Sequence, residues 1–379
     1  MSLQLTDEQR SLVSTVRDFA ARECGTREQR QSLTGNGEQL NSFRIAAQLG
    51  ELGFLGLSIP EQYGGSGGGL FEACLFVEEL AYGRVPLSSF PVTLIVAHSY
   101  LKFAPEPMKY EVLGKVCAGV PTAIAMSEPG SGSDVASLTC KADKVESGYR
   151  INGQKTWISN AHIAEHILLV CRTSETGDKH QGLTMLSVPT DTPGLTIRPI
   201  QTLGAEVNDV YFTDALVPED RVVGTEGQGW SQLIAGLNIE RVIIGALALG
   251  QARRAFDDTL AYVTQRTQFG RPIGSFQALS QRLAELATEL EATRLLVHDV
   301  AQRVDENPEK LLPREASMVK LKATELAKNA ALEGVQMMGG MGYTQEAGME
   351  ELLRHTIVGT IVGGTSEIQK DIIAKTLGL

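Results

Sequence analysis

The sequence has few of the features that mark disulfide-bonded or metal-dependent proteins. Its five cysteines are dispersed and include no CxxC pair, at Cys24, Cys74, Cys117, Cys140 and Cys171. An odd number of scattered thiols is typical of reduced, mostly buried cysteines in an intracellular protein. The six histidines never fall at zinc-ligand spacing with these cysteines, so we predict no metal site.

Basic charge is also in short supply. The chain has 34 Lys and Arg residues against 45 Asp and Glu residues, a formal net charge of −11. Nucleic acids and anionic membranes both attract basic surfaces, so this balance argues against either as a partner. No apolar run approaches bilayer-spanning length, which predicts no membrane insertion. The polar residues 6–10 lack signal-peptide character, and we expect a cytoplasmic protein.

Motifs that bind nucleotide phosphates are missing as well. No strand–GxGxxG–helix unit of the Rossmann type occurs in the chain. The glycine run at residues 64–69 follows no strand pattern, and no P-loop Lys-Ser/Thr follows it. We interpret this run as a flexible turn before a helix that contains Phe71.

The chain does contain a clear change of periodicity along its length. Up to about residue 120 the apolar spacing is helical, beginning with a capping box at Thr6 and Gln9. Asn152-Gly153 then predicts a two-residue hairpin turn. Short β-rich runs follow it at residues 167–171, 183–188, 195–200 and 207–212. Long helical patterns return at residues 230–266, 276–305 and 314–338.

This order of patterns predicts an α+β protein with three domains. Residues 1–121 are expected to form an N-terminal all-α domain. Residues 122–228 are expected to form a middle, antiparallel, β-barrel-like domain, since short strands alternate there with Gly, Pro and Asp turns. Residues 229–379 are expected to form a C-terminal four-helix bundle, because long amphipathic helices are joined by short loops.

A single carboxylate interrupts the apolar stretch at residues 233–244. Glu240 falls on the same helical stripe as Leu237 and Ile244. Burying an unpaired charge is costly, so a glutamate here is expected either to form an ion pair or to have a functional role. One interpretation is an ion pair with the adjacent Arg241. The other is a general base whose pKa is raised by a dry pocket.

Five short segments could hold a ligand, and each also has a purely structural explanation. The small residues at 125–134 let backbone N–H groups approach a ligand, but they also suit a tight surface turn. Trp157 offers a flat face, although a strand tryptophan is more often core. The basic loop at 266–273 is also ordinary helix capping. Glycine-rich breaks follow at 339–343 and 363–367, and Thr365 or Ser366 could cap the last helix.

Together these segments resemble the acyl-CoA dehydrogenase family. They read AMSEPGSGSD, KTWISNA, RTQFGRPI, GGMGY and GGTSE, in that order across the α-β-α layout. The resemblance covers essentially the whole chain. It implies FAD as the cofactor, bound without a Rossmann fold. It also implies a homo-oligomer, usually a tetramer in which neighbouring subunits share each FAD site, and electron-transferring flavoprotein as the electron acceptor.

The resemblance also implies which residues of this chain bind FAD. Those matching the positions at the flavin ring and ribityl chain are Met126, Ser127, Gly132 and Ser133. Those matching the positions beside the ring are Trp157 and Ser159. Those matching the segments that a neighbouring subunit presents to the pyrophosphate and adenosine are Arg266, Gln268, Phe269, Ile273, Phe276, Gln277, Gln336, Gly339, Gly340, Thr365, Ser366 and Glu367.

The catalytic base implied by the resemblance is Glu240. Many family members carry a glutamate directly before Gly-Thr-Ser-Glu, where this chain has Gly363. Isovaleryl-CoA and long-chain members instead place it in a Leu-x-x-Glu-Arg sequence, which residues 237–241 match. Glu240 would remove the α-proton of an acyl-CoA while the β-hydride passes to the flavin. Further substrate-contacting positions are matched by Ser133, Asn238, Arg241 and Gly364, although several relatives have aspartate at the position of Asn238.

Two alternatives of different kinds stay open on the sequence. A flavin oxidase or monooxygenase of the same fold would let reduced flavin meet oxygen, but such relatives have no general need for the Leu-x-x-Glu-Arg glutamate. A non-catalytic partner subunit would have lost flavin contacts, and none of the matched positions is grossly altered. Straight, branched, aromatic and sterol side-chain thioesters all fit the sequence as substrates.

Overall fold

A computed structural model describes residues 4–379 of the protein. Helices, then strands, then helices follow one another along the chain. The helices are α1 (Asp7–Cys24), α2 (Arg27–Leu33), α3 (Phe43–Glu51), α4 (Leu70–Tyr82), α5 (Phe90–Phe103), α6 (Glu106–Cys117), α7 (Gly229–Gln265), α8 (Gln277–Glu306), α9 (Pro313–Met338), α10 (Met349–Ile357) and α11 (Ser366–Thr376). The predicted long helices at 230–266, 276–305 and 314–338 are confirmed as α7, α8 and α9.

The strands lie in the middle of the chain, with one small hairpin after α7. They are β1 (Thr122–Ala125), β2 (Lys141–Val145), β3 (Gly148–Ser159), β4 (His166–Arg172), β5 (Leu183–Pro189), β6 (Leu195–Ile200), β7 (Val207–Val217), β8 (Val222–Val223), β9 (Thr267–Gln268) and β10 (Arg271–Pro272). All four predicted β-rich runs are therefore strands.

The chain divides into two compact units. The first, which we call the helical unit, comprises the described residues 4–38 together with Gly69–Pro86 and Glu240–Leu379. The second, which we call the mixed unit, comprises Gln39–Gly68 and Leu87–Ile239. The helices before residue 121 are thus shared between the units, and α7 passes from one to the other between Ile239 and Glu240.

The helical unit is built on amphipathic helices whose ends are set by local sequence. At the start of α1 the Thr6 side chain accepts a hydrogen bond from the Gln9 amide, and the Gln9 side chain accepts one from Thr6. This is the predicted capping box, which satisfies two amides that a helix start would leave unpaired. The apolar face of α1 packs on α4, and α9 packs against α8, α10 and α11.

The mixed unit contains one eight-stranded sheet. Its strand order is β6-β7-β3-β2-β4-β5-β8, with β1 pairing beside β4. Most pairs are antiparallel, as predicted, but β1 and β2 each pair with β4 in parallel. A buried core on this sheet includes Ile151, Ile167, Leu169 and Phe212. All five cysteines are buried and free, as expected from their spacing.

The predicted hairpin at Asn152-Gly153 is wrong. The two residues lie inside β3, and the turn is at the β2–β3 junction, where Val145 pairs with Gly148. The pairing of β3 with β7 shifts register between Ile151 and Gly153. A Cβ atom on Gly153 would lie 2.8 Å from the Cys140 Cα atom, so the glycine here permits a close backbone approach at a β-bulge.

Helix α7 also corrects an expectation from the sequence. By length and composition it could cross a bilayer, since one 18-residue window has a mean hydropathy of 1.7. In the structure 67% of that window is buried by the protein itself. A buried core helix passes the same test, so α7 by itself gives no membrane assignment.

Candidate active site

Glu240 is buried without a countercharge in contact. Glu240 is 8% exposed, and its Oε2 atom is buried without a hydrogen-bond partner. Burial raises the pKa of the carboxyl group from 4.5 to about 6, although the charges of Arg241 and Lys320 act in the opposite direction. The alternative ion pair with Arg241 does not form in the described part of the chain, where the Arg241 Nε is also buried and unpartnered.

The Gly363–Gly364 turn lies against this carboxylate. Both glycines have left-handed backbones, with φ of +64° and +87°. A Cβ atom on Gly363 would lie 3.2 Å from Glu240 Oε1 and 2.7 Å from the Cδ1 atom of Ile244. The Ile244 side chain and the Glu240 carboxylate therefore together occupy the space that a side chain at position 363 would need.

Two fully buried side chains hold the carbonyl groups of this turn. The Lys320 Nζ donates to the Gly364 carbonyl at 2.7 Å. The Gln369 Nε2 donates to the Gly363 carbonyl at 2.9 Å and to the Gly364 carbonyl at 3.0 Å. Neither residue was predicted from the sequence. Lys320 could have been found as Glu240 was, because it shares a helical stripe with the buried apolar residues Ala316 and Ala323.

The amide groups of the same turn are free to bind a ligand. Within residues 4–379 the N–H groups of Gly363, Gly364 and Thr365 donate no hydrogen bond. They precede α11, whose N-terminus adds a favourable field for negative charge. Thr365 caps α11 by accepting from the Ile368 amide, so the structural role foreseen for Thr365 is confirmed. The Ser366 hydroxyl is buried without a partner, and Glu367 is exposed.

In the mixed unit, the segment at residues 126–134 is held by a buried ion pair between Lys155 and Glu128. This ion pair was not predicted from the sequence. The Lys155 Nζ contacts Glu128 Oε1 at 2.9 Å and the Met126 carbonyl at 2.8 Å. Glu128 also accepts from the amides of Thr139 and Cys140. The rigid loop leaves Gly132 and Ser133 exposed, while Met126 and Ser127 are half-buried.

Trp157 projects into solvent beside this loop. It is 60% exposed and has φ of +62°, at a second register shift between Lys155 and Ile158. A left-handed backbone is unfavourable for a bulky residue and is typical of functional positions. The neighbouring Thr156 amide donates to the Ser127 carbonyl at 2.9 Å, which ties β3 to the loop. Trp157 is therefore not core, and the half-buried Ser159 follows it on the same strand.

The segments predicted to reach a neighbouring subunit lie at the surface of the helical unit. Phe269, at the tip of the β9–β10 hairpin, is 93% exposed with φ of +53°. The Arg271 guanidinium stacks over Phe276, 4.1 Å from the ring centroid. Ile273 and Phe276 are half-buried. The remaining predicted residues here are exposed, namely Arg266, Gln268, Gln277, Gln336, Gly339 and Gly340.

The predicted substrate contacts other than Gly364 have mixed surroundings. Asn238 is buried, donates to the Ile234 carbonyl at 3.0 Å, and keeps a buried Oδ1 without a partner. Arg241 is 6% exposed, and burial lowers the pKa of its guanidinium. Ser133 is exposed on its loop. Each of these residues therefore keeps polar groups available for a ligand.

Comparisons with known proteins identify the family. Family models of acyl-CoA dehydrogenases match residues 6–120 with the N-terminal domain, 123–215 with the middle domain and 227–378 with the C-terminal domain. The chain belongs to the acyl-CoA dehydrogenase family. It is therefore an oxidoreductase with the helical, β and helical domain order of these enzymes, and the predicted fold class is confirmed.

Individual relatives agree along the full length. The chain is 36% identical to "Probable acyl-CoA dehydrogenase YngJ" of Bacillus subtilis, with 100% of both chains covered. It is 33% identical to mitochondrial isovaleryl-CoA dehydrogenase of Solanum tuberosum, covering 99% of this chain and 92% of that one. The solved structure "FAD complex of PigA" superposes with a TM-score of 0.92 at 28% identity, covering 100% of both chains.

Acyl-CoA dehydrogenases depend on FAD, and the residues of this chain fit that cofactor. Trp157 offers an exposed flat face, and Cβ atoms added to Gly130 or Gly132 would meet nothing within 4 Å. The Ser131 hydroxyl is buried there without a partner. Arg266 and Gln268 supply exposed donors suited to a pyrophosphate. The donor types and the open backbone both match a flavin nucleotide.

Proposed function

We propose that this acyl-CoA dehydrogenase oxidises the α,β carbon–carbon bond of an acyl-CoA thioester to the trans-2-enoyl-CoA, with Glu240 as the base. The observation that carries the proposal is the buried Glu240 carboxylate against the Gly363–Gly364 turn. Its pKa of about 6 keeps the group ionised at neutral pH while making it a stronger base than an exposed glutamate.

The backbone of the turn would stabilise the charge that proton removal creates. As Glu240 takes the α-proton, negative charge develops on the thioester oxygen. Free amides of Gly363, Gly364 and Thr365, at the N-terminus of α11, are donors suited to that oxygen. The Gly364 and Thr365 amides need no reorganisation as the charge appears, because the Gly363 and Gly364 carbonyls of the same peptide units are already hydrogen-bonded.

FAD, when bound, accepts the β-hydride. The residues proposed to hold its ring and ribityl chain are Met126, Ser127, Gly132, Ser133, Trp157 and Ser159. Those proposed to hold the pyrophosphate and adenosine are Arg266, Gln268, Phe269, Ile273, Phe276, Gln277, Gln336, Gly339, Gly340, Thr365, Ser366 and Glu367. Asn238, Arg241, Gly364 and Ser133 are the proposed substrate contacts.

The similarity to an isovaleryl-CoA dehydrogenase supports a branched or long acyl group as substrate. The Leu-x-x-Glu-Arg position of the base, which this chain shares with such members, points the same way. We further propose a homotetramer, a cytoplasmic location and electron-transferring flavoprotein as the electron acceptor. The exposed Phe269 hairpin supports the oligomer, because such an aromatic surface is suited to a second copy of the chain.

An anaerobic flavin-bleaching titration tests the proposal. The purified protein with FAD is mixed with a panel of straight, branched and aromatic acyl-CoA thioesters, beside Glu240→Gln. We expect one class of thioester to bleach the wild-type flavin, and Glu240→Gln to stay oxidised because the amide cannot accept the proton.

Three other outcomes have separate meanings. If Glu240→Gln bleaches as fast as wild type, Glu240 is not the base. If no thioester reduces a bound flavin, the dehydrogenase proposal is wrong, and oxygen uptake with a reducing substrate that is not a thioester would favour the oxygen-using alternative. A protein that stays colourless after FAD is added would instead be a non-catalytic subunit.

A further inference from the structure

Lys320 and Gln369 are buried polar side chains with no chemical step of their own in the proposed reaction. Both are fully buried, and both donate to the carbonyl groups of the Gly363–Gly364 turn. Burying an ammonium group is costly, and burial lowers the pKa of Lys320 to about 8. Because burying its ammonium group costs stability, Lys320 needs a functional explanation, and its position beside the turn next to Glu240 offers one.

Hydrogen bonds to these carbonyls also fix the neighbouring amides. A trans peptide unit is planar, with its C=O and N–H groups pointing in opposite directions. Holding the Gly363 carbonyl therefore sets the direction of the Gly364 N–H, and holding the Gly364 carbonyl sets that of the Thr365 N–H. Glycine has the freest backbone of any residue, so without these donors the two peptide units would reorient easily.

The charge of Lys320 gives it a second effect that Gln369 lacks. The charged groups acting on Lys320 are Glu240, Arg241, Glu325 and Glu367. Those acting on Glu240 are Arg241 and Lys320. The Lys320 ammonium group therefore favours the ionised form of Glu240 as well as holding the turn.

We propose that Lys320 and Gln369 form a two-donor clamp that fixes the Gly363–Gly364 turn, and with it the backbone amides that face the thioester oxygen during proton abstraction by Glu240. This role rests on the proposed function of Glu240 as base. In the step, the carboxylate takes the α-proton and the C–H electron pair moves toward the thioester carbonyl, where the amides receive the charge. Lys320 and Gln369 are positioning residues, since they act through the backbone and exchange no proton with the substrate.

Stopped-flow reduction of the FAD-loaded enzyme tests the clamp. At saturating thioester we expect Lys320→Met to lower the rate of flavin reduction by about 100-fold, as a misplaced donor does, with a smaller change in the thioester dissociation constant. Gln369→Met should act in the same direction. Because both side chains act on one turn, the double variant should lose less than the product of the single losses.

Conservative and control variants separate positioning from general damage. Lys320→Arg keeps the charge and donors, so its loss should be smaller than that of Lys320→Met. Lys322→Met, two residues along α9, removes an exposed ion pair with Glu289 and should leave the rate unchanged. In Lys320→Met alone, the acidic limb of the pH–rate profile should move to higher pH. The Lys320 ammonium group lowers the pKa of Glu240 in the wild type, so its removal should raise that pKa.

Hydrogen exchange of the substrate-free enzyme gives a readout independent of activity. Peptides covering residues 361–370 should exchange faster in Lys320→Met and Gln369→Met, while the remaining peptides keep wild-type rates. Faster exchange throughout the helical unit would overturn the proposal in favour of a general structural role.

The kinetic outcomes distinguish the clamp from the base. If Lys320→Met and Gln369→Met reduce flavin at the wild-type rate while Glu240→Gln stays oxidised, the clamp is wrong and the base stands. If no thioester reduces the wild-type flavin, the proposed function and the clamp both fall. Should Lys320→Met not fold, Gln369→Met decides alone, and a wild-type rate in that variant overturns the proposal.

Discussion

At the scale of single residues, the proposed base Glu240 lowers the stability of the fold when its buried carboxylate is ionised. Its folded pKa of about 6 lies above the ordinary value of 4.5. The folded protein therefore binds this proton more tightly than the unfolded chain does. The associated stability is fully present below the unfolded pKa and is lost as pH rises through about 6. At higher pH the buried ionised carboxylate destabilises the fold by about 2 kcal/mol.

Glu240→Gln should accordingly be more stable than the wild type in alkaline solution. We expect a gain of about 2 kcal/mol near pH 8 that shrinks toward pH 5, since glutamine carries no charge to desolvate. Thermal midpoints of both proteins at the two pH values measure it. A variant less stable than wild type near pH 8 would show that Glu240 forms a stabilising ion pair. Glu79→Gln is the matched control and should lose stability, because Glu79 pairs with Arg17 and Arg253.

In the sequence, Glu240 is more conspicuous than Lys320, although both lie on apolar helical stripes. A carboxylate on an apolar stripe is conspicuous because glutamate is rarely buried alone. Lysine on such a stripe is less conspicuous, since its long stem can cover apolar surface while the charge reaches water. Only the packing of α9 against α11 shows that Lys320 is enclosed and directed at the Gly364 carbonyl.

At the scale of elements, β3 has two register irregularities with different structural effects. The first, at Gly153, allows the backbone of β3 to approach the backbone at Cys140 closely. The second turns Trp157 out of the strand in a left-handed conformation. The Asn-Gly pair was misread as a turn because the same residues favour both turns and bulges. The strands around it were predicted correctly, since their apolar runs are decided by burial on the sheet.

Replacing Trp157 should separate stability from cofactor binding. Glycine suits a φ of +62° and the side chain is largely exposed, so Trp157→Gly should leave the FAD-free protein at least as stable as wild type. FAD affinity should fall by about tenfold or more, because the aromatic face is lost. Fluorescence titration with FAD and thermal unfolding measure the two quantities.

Trp157→Phe serves as the comparison for this experiment. It keeps a ring and the same backbone strain, so its FAD affinity should lie between those of Trp157→Gly and wild type. Unchanged FAD affinity in Trp157→Gly would remove Trp157 from the flavin site.

At the scale of the whole molecule, the order of helices, strands and helices was predictable because periodicity changes twice along the chain. The division into two units was not, because α4 joins the helical unit while α3 and α5 join the mixed unit. That assignment depends on contacts between segments far apart in sequence, such as the hydrogen bonds from the amides of α4 to Asp305. No local pattern encodes such contacts.

The proposed assembly predicts a specific effect of Phe269. Because this ring is 93% exposed within one chain, Phe269→Ser should not lower the stability of a single subunit. It should weaken the oligomer and release FAD if a second copy covers it. Sedimentation at several protein concentrations and the FAD-to-protein ratio measure both effects.

Tyr110→Ser is the matched control for Phe269→Ser, since Tyr110 is a 56% exposed aromatic in the mixed unit, outside the predicted cofactor segments. It should change neither measurement. A Phe269→Ser protein that remains a tetramer with full FAD content would exclude the hairpin from the interface.

The contact between Gly363 and Glu240 also has an evolutionary consequence. The resemblance places the base of many family members at position 363 and the proposed base of this chain at position 240, and a Cβ atom on Gly363 would lie 3.2 Å from Glu240 Oε1. A lineage that loses one glutamate before gaining the other passes through an enzyme with no base. A lineage that gains the second first crowds two carboxylates together, where one would hold a proton and the other would stay ionised. That second order of substitution keeps a working base throughout, so the proposed role of Glu240 predicts an ancestor with glutamate at both positions.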